Sequence, residues 1–211
     1  MAQRVLRAFT LLLAVIVPAF SAARPQPPAQ FKVGMASRSF TPKEPYNWRG
    51  AKTHALQTTL WYPAAESSNE QPLDIPGFSQ MFVGGSVARD ASLSASPAKF
   101  PVILISHGTG GTALSVAWLG AALAKRGYIV AGVNHPGNNA TEPYTVEGFS
   151  TWWERARDLS TVLDFLLADP TLSGRIDQKR IGAAGFSLGG YTMIEIAGGI
   201  TEPAAFTDFC A

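Results

Sequence analysis

The chain has 211 residues, 46% of them apolar, which is enough for one domain with a buried core. Its formal charge of +2 comes from Arg4 and Arg7, because without them 15 basic residues face 15 acidic ones. A nearly neutral remainder gives no sign of binding to nucleic acid or to an anionic membrane surface, and we predict neither as a partner.

The N-terminus has the three parts of an export signal. Two arginines precede a run of about twelve apolar residues, and small residues follow at 21–23. A membrane anchor is the alternative, but a span needs roughly 20 apolar residues. We therefore predict export to the periplasm or the medium, no stable membrane span, and three segments: a signal peptide at 1–23 cleaved near Ala23, a Pro-rich leader at 24–30, and a partial catalytic domain at 31–211.

The first half of the domain is predicted to hold few strands. Residues 31–40 and 55–62 have strand patterns, and the second is β-branched and aromatic and stops at Pro63. Residues 64–99 are predicted to be mostly loop, which would border a binding site or cover a sheet edge.

Strands and helices alternate from residue 100 onward. Apolar runs predict buried strands, and helical periodicity separates them, with Trp118 on a buried stripe. The predicted order is strand 101–106, helix 113–126, strand 128–134, helix 151–168 and strand 181–186. This order predicts an α/β fold with a mostly parallel central sheet flanked by helices.

Residues 185–189 read Gly-Phe-Ser-Leu-Gly, a G-x-S-x-G motif between the last predicted strand and a helix. In that context Ser187 is predicted to be a nucleophile on a sharp turn, with glycines where strand and helix cross. The helix that follows points its free N–H groups at the serine, and the N–H of Leu188 can face an oxyanion. The alternative is a Gly-rich turn with an incidental serine.

A second Gly-rich turn, His107-Gly108-Thr109-Gly110-Gly111, follows a central strand at the edge where open α/β sheets bind ligands. The N–H of Thr109 would complete an oxyanion hole with that of Leu188. A phosphate-binding turn and a merely tight turn are the alternatives, although neither G-x-G-x-x-G nor a Walker lysine is present. We predict no metal and no other cofactor.

Five groups of residues resemble the α/β-hydrolase superfamily and, within it, the exported dienelactone-hydrolase-like and platelet-activating-factor-acetylhydrolase-like group. They are residues 60–64, 105–108, 134–138, 157–159 with 164–166, and 185–190. The resemblance implies an α/β-hydrolase fold and hydrolysis of acyl esters by a Ser-Asp/Glu-His triad. It assigns attack to Ser187 and oxyanion binding to Thr109 and Leu188, and His107, Gly108 and His135 support the loop or line the pocket.

The triad that this resemblance implies is incomplete. In this fold the acid and the histidine follow the serine, yet no histidine follows Ser187 and only Asp208 stands as a weak candidate acid. His54 is expected at the surface, and any upstream histidine acting as base would need a rearranged triad. Asp158 is expected to be structural and to pair with Arg155 or Arg157.

We therefore expect an N-terminal fragment that lacks the C-terminal part of the fold, inactive by itself. The partner of Cys210, the single cysteine, is also expected beyond residue 211. The predicted function is a serine-dependent carboxylic ester hydrolase, esterase-like or lipase-like, acting on a small-molecule ester. A non-catalytic binding module is the alternative, and an acyltransferase or lactonase with the same triad is a third possibility. The oligomeric state is left open.

Overall fold

A computed structural model describes residues 30–75, 82–200 and 202–210. The predicted signal peptide, its cleavage site near Ala23 and nearly all of the predicted leader lie outside these residues. Within them, no helix is long and apolar enough to cross a membrane.

Seven strands form one mixed sheet in the order β3-β4-β1-β2-β6-β5-β7. Strands β6, β5 and β7 run parallel, whereas β2 pairs antiparallel with both β1 and β6. The strands are β1 (Lys32–Phe40), β2 (Leu56–Ala64), β3 (Gln71–Asp74), β4 (Val83–Arg89), β5 (Phe100–Ser106), β6 (Ile129–Val133) and β7 (Ile176–Gly185). The predicted α/β-hydrolase fold class is confirmed.

Helices cover both faces of the sheet. They are α1 (Ala117–Ala124), α2 (Val146–Ser150), α3 (Glu154–Ala168), α4 (Leu188–Ile196) and α5 (Pro203–Cys210). One apolar layer joins α3 to the sheet through Leu159 and Val162, and the other joins α1 to it through Ala117 and Ala121. Both layers exclude water from the central strands, which are fully buried at Val102 and Val130.

One prediction for the first half was wrong, because β2 continues through Pro63 to Ala64. Residues 64–99 also contain two short strands, β3 and β4, that the sequence did not predict. Strand β3 has only four residues and three of them are exposed, so it lacks the buried alternation that identifies a strand in sequence.

The placement of Trp118 in the core was also wrong, because its side chain is 61% exposed. Helix α1 lies so close to the sheet that a Cβ on Gly120 would stand 2.6 Å from the Trp61 ring. Only small side chains fit on that face, and Trp118 therefore points outward. The predicted helix 113–126 is in fact a 3₁₀ turn at 113–116 followed by α1, and the predicted helix 151–168 begins only at Glu154.

Candidate active site

Ser187 stands on a strained turn between β7 and α4. Its φ is 53° and its ψ −120°, a conformation that non-glycine residues seldom adopt. The residue is exposed and directly precedes the first residue of α4. The sharp strand-to-helix turn expected from the sequence is present, with its hydroxyl-bearing residue at the surface.

The two flanking glycines let the backbones meet. A Cβ on Gly185 would lie 2.1 Å from the Gly189 carbonyl oxygen, and one on Gly189 would lie 2.0 Å from the Ser106 carbonyl oxygen. Neither distance is possible for a real side chain. The spacing of the motif is therefore required by the crossing of strand and helix.

The turn after β5 lies against Ser187. A Cβ built on Gly108 would be 3.4 Å from the Ser187 Cβ, and the N–H of Phe186 donates to the Ser106 carbonyl at 3.2 Å. Within the described ranges, the N–H groups of Thr109 and Leu188 take part in none of the hydrogen bonds of turns and caps.

Two side chains from the long loop after β6 hold this turn. The Asn138 Oδ1 accepts from the N–H of Gly110 at 2.7 Å, and the Tyr144 hydroxyl donates to the Gly110 carbonyl at 3.0 Å. Asn138 is itself fixed by donation to the Gly148 carbonyl. Sequence reasoning gave no role to Tyr144, and it noted Asn138 only as part of a family motif.

His107 is buried and supports the turn internally. Its Nε2 accepts from the N–H of His135 at 3.3 Å, and its Nδ1 lies 2.6 Å from the Gly108 carbonyl oxygen and 3.1 Å from Arg155 Nη2. Burial, together with His135 and Arg155, lowers the pKa of His107 to about 2, and the ring is neutral. The loop-supporting role expected for His107 agrees with these contacts.

Of the two roles expected for His135, lining the pocket is wrong because its side chain is buried, and supporting the loop stays a prediction. It is fully buried, with Nδ1 2.7 Å from Asp158 Oδ2 and Nε2 2.9 Å from Ser106 Oγ. Burial is the main cause that lowers its pKa well below 6.5, and Arg155 and Arg49 add to it. The ring is therefore neutral and has no exposed edge.

Asp158 is structural, as expected, but its predicted partners were wrong. It forms a buried salt bridge with Arg49 at 2.7 Å and accepts from the Tyr46 hydroxyl. Burial raises the pKa of Asp158, and Arg49 opposes that rise. Neither Arg49 nor Tyr46 was found from sequence, because more than 100 residues separate them from Asp158.

No histidine among the described residues contacts Ser187 Oγ. His54 is exposed, as predicted, and stacks on Trp48 with ring centroids 5.3 Å apart. Asp208 is exposed on α5, and no hydrogen bond or ion pair joins it to a histidine of the described ranges. The acid of a triad is hydrogen-bonded to the catalytic histidine. The geometry of the described residues therefore does not support Asp208 as the triad acid. In the same ranges, no cluster of His, Cys, Asp or Glu could hold a metal ion.

An open apolar cavity lies beside the Gly-rich turn at residues 107–111. Tyr144, Val146, Phe149 and Trp152 line it, and the Tyr144 and Phe149 rings meet edge to face at 5.4 Å. Trp153, the next residue in the chain after Trp152, is 44% exposed.

The chain matches the family model described as PET hydrolase-like over residues 70–205. It belongs to the PET hydrolase-like family. Bis(hydroxyethyl) terephthalate hydrolase from Streptomyces coelicolor is 30% identical over 157 residues, which cover 72% of this chain and 44% of that protein. Cutinase est1 from Thermobifida alba is 34% identical over 102 residues, 46% of this chain and 30% of that protein. The chain thus spans less than half the length of these curated relatives.

A solved structure supports the same fold. The ferulic acid esterase from Streptomyces cinnamoneus superposes with a TM-score of 0.63 and 26% identity, covering 82% of this chain and 57% of that chain. The α/β-hydrolase superfamily predicted from the sequence is confirmed. The narrower dienelactone-hydrolase-like group remains a prediction, since the matching family is the PET hydrolase-like one.

Proposed function

We propose that this PET hydrolase-like chain carries the nucleophile and the oxyanion hole of a serine-dependent carboxylic ester hydrolase. The strained, exposed backbone of Ser187 is the observation that carries the proposal, because such a turn costs folding free energy and strained residues of this kind cluster at active sites. The names of the relatives, a cutinase, a terephthalate ester hydrolase and a ferulic acid esterase, favour a small-molecule ester as the substrate.

In the proposed mechanism, Ser187 Oγ attacks the acyl carbon while a histidine removes its proton. The negative charge that develops on the carbonyl oxygen meets the N–H groups of Thr109 and Leu188. The histidine then protonates the departing alcohol, and water hydrolyses the acyl-enzyme by the reverse sequence. Because both buried histidines are already engaged, we assign the base, and with it the acid, to residues beyond position 211.

The 211-residue chain alone is accordingly expected to be inactive. We also propose that the protein is exported, on the strength of the N-terminal arginines and the apolar run that follows them.

Labelling with a fluorophosphonate probe tests the proposal. The protein from the complete reading frame should label at one serine and hydrolyse a short-chain p-nitrophenyl ester. Ser187→Ala should abolish both, and the control Ser160→Ala, at an exposed position on α3, should abolish neither. Mass spectrometry must place the label on Ser187.

Three results would contradict the assignment. Labelling of Ser106 would mean that the buried Ser106, His135 and Asp158 are reactive after all. A folded, unlabelled protein would favour the non-catalytic binding module, and labelling of the 211-residue chain would return the base to an upstream histidine.

A further inference from the structure

A buried chain of hydrogen bonds ends at the candidate active site. Asp158, His135 and Ser106 are connected by contacts of 2.7 and 2.9 Å, and we call them the Asp158 relay. These are the distances expected of an acid, a histidine and a serine in a catalytic triad. All three residues have 0% exposure, however, so no substrate reaches them.

The direction of the hydrogen bonds in the relay is determined by Arg49. Its guanidinium can only donate, and it contacts the same Oδ2 of Asp158 that faces His135 Nδ1. Oδ2 therefore accepts from both groups, and Nδ1 of His135 carries the proton. Nε2 is left as an acceptor, and it receives the hydroxyl proton of Ser106.

Ser106 is the last residue of β5 and touches both halves of the site. Its carbonyl accepts from the N–H of Phe186, next to the nucleophile, and its chain continues directly into the oxyanion turn. The N–H of His135 also donates to Nε2 of His107, the first residue of that turn. His135 thus contacts two successive residues at the base of the turn, Ser106 through its ring and His107 through its backbone N–H.

We propose that His135 is a positioning residue, which through Ser106 and His107 holds the oxyanion turn at the spacing from Ser187 that the transition state requires. Asp158 fixes the tautomer that makes this possible. The proposal rests on the catalytic roles proposed above for Ser187 and the turn. It differs from the role of a general base, since His135 exchanges no proton with the substrate.

The test uses the protein from its complete reading frame and compares His135→Phe with His54→Phe, the same change at the exposed histidine. Active sites are titrated with the fluorophosphonate probe, so that kcat refers to active enzyme only. We expect His135→Phe to lower kcat about 10- to 100-fold, with KM within about twofold and an unchanged pH profile. His54→Phe should match the wild type.

Hydrogen exchange of the peptide covering residues 106–112 gives a readout that needs no activity. Protection there should fall at least about tenfold in His135→Phe and less in Ser106→Ala, which breaks only the last link of the relay. If His135→Phe does not fold, the test uses Ser106→Ala, for which we expect an approximately threefold to tenfold loss of kcat.

Three outcomes would overturn the proposal: unchanged kcat per active site, unchanged exchange of the turn, or a near-complete loss of kcat together with the acidic limb of the pH profile. The last would identify His135 as the base. A wild-type protein without reactivity at Ser187 would instead overturn the proposed function, and the exchange measurement would still decide whether His135 holds the turn.

Discussion

Gly189 is the position where one added methyl group should most disturb the candidate site. In Gly189→Ala the new Cβ would stand 2.0 Å from the Ser106 carbonyl oxygen and 2.9 Å from that of His107. Both atoms belong to the backbone at the end of β5, so no side-chain rotation can relieve the overlap. Helix α4, which begins directly after Ser187, must move away from the strand.

The size of the effect follows from these distances. To bring the closest contact to about 3 Å, α4 and β5 must separate by about 1 Å, and misplacement of that size costs roughly 100-fold in rate. Overpacking of this kind lowers the free energy of unfolding by about 1–3 kcal/mol. We therefore expect kcat/KM to fall about 100-fold for Gly189→Ala in a protein that remains folded at 25 °C.

Gly190→Ala is the matched control on the same helix. The nearest atom to its new Cβ would be the Gly185 carbonyl oxygen at 3.7 Å, an ordinary contact. Alanine in a helix should raise the free energy of unfolding by about 0.5–1 kcal/mol there, with activity retained. Urea unfolding and ester hydrolysis by both variants check this. Equal effects of the two substitutions, or wild-type kcat/KM in Gly189→Ala, would refute the reasoning from backbone contact.

Three further predictions concern the residues around the turn. Arg49→Met removes the salt-bridge partner of the buried Asp158 carboxylate and should lower the free energy of unfolding, measured in urea, by about 3–5 kcal/mol. Arg155→Met should cost at least about 2 kcal/mol less, because its Nε and Nη1 have no hydrogen-bond partner in the described part of the chain; equal costs would contradict this. Tyr144→Phe removes one hydrogen bond to the turn and should lower kcat/KM about 2- to 10-fold with little change in stability, and unchanged kinetics would count against the bracing role. Burial holds the pKa of His107 at about 2 against 6.5 in the unfolded chain, so the unfolded chain binds a proton first as the pH falls. The contribution of His107 to the free energy of unfolding should therefore decline by about 1.4 kcal/mol for each pH unit that the pH falls below about 6.5. Urea unfolding at pH 7, 6 and 5 should show a flatter decline in His107→Gln but not in the exposed variant His54→Gln.

The sequence was most informative where the determining contacts are local. The turn at Ser187 follows from a strand, two glycines and a helix within a few residues, and β5 and β6 follow from continuous apolar runs. Trp118 was misplaced because the width available between α1 and the sheet depends on Trp61, which lies far away in sequence. Periodicity predicts which face of a helix is apolar, but it carries no information on how close that face comes to its neighbour.

The partners of the buried side chains near the nucleophile could not be predicted either, because they lie far away in sequence. From sequence, His135 was expected to support the loop or line the pocket, and Asp158 to pair with its helix neighbours, because ion pairs along a helix are the local default. In the structure, Arg49 reaches Asp158 from 109 positions away and thereby fixes the tautomer of His135. A serine, a histidine and an aspartate in triad geometry are therefore not sufficient evidence of a catalytic site. Exposure separates the two serines: Ser106, at 0%, has the partners but no access to substrate, whereas Ser187 is exposed directly before the first residue of α4.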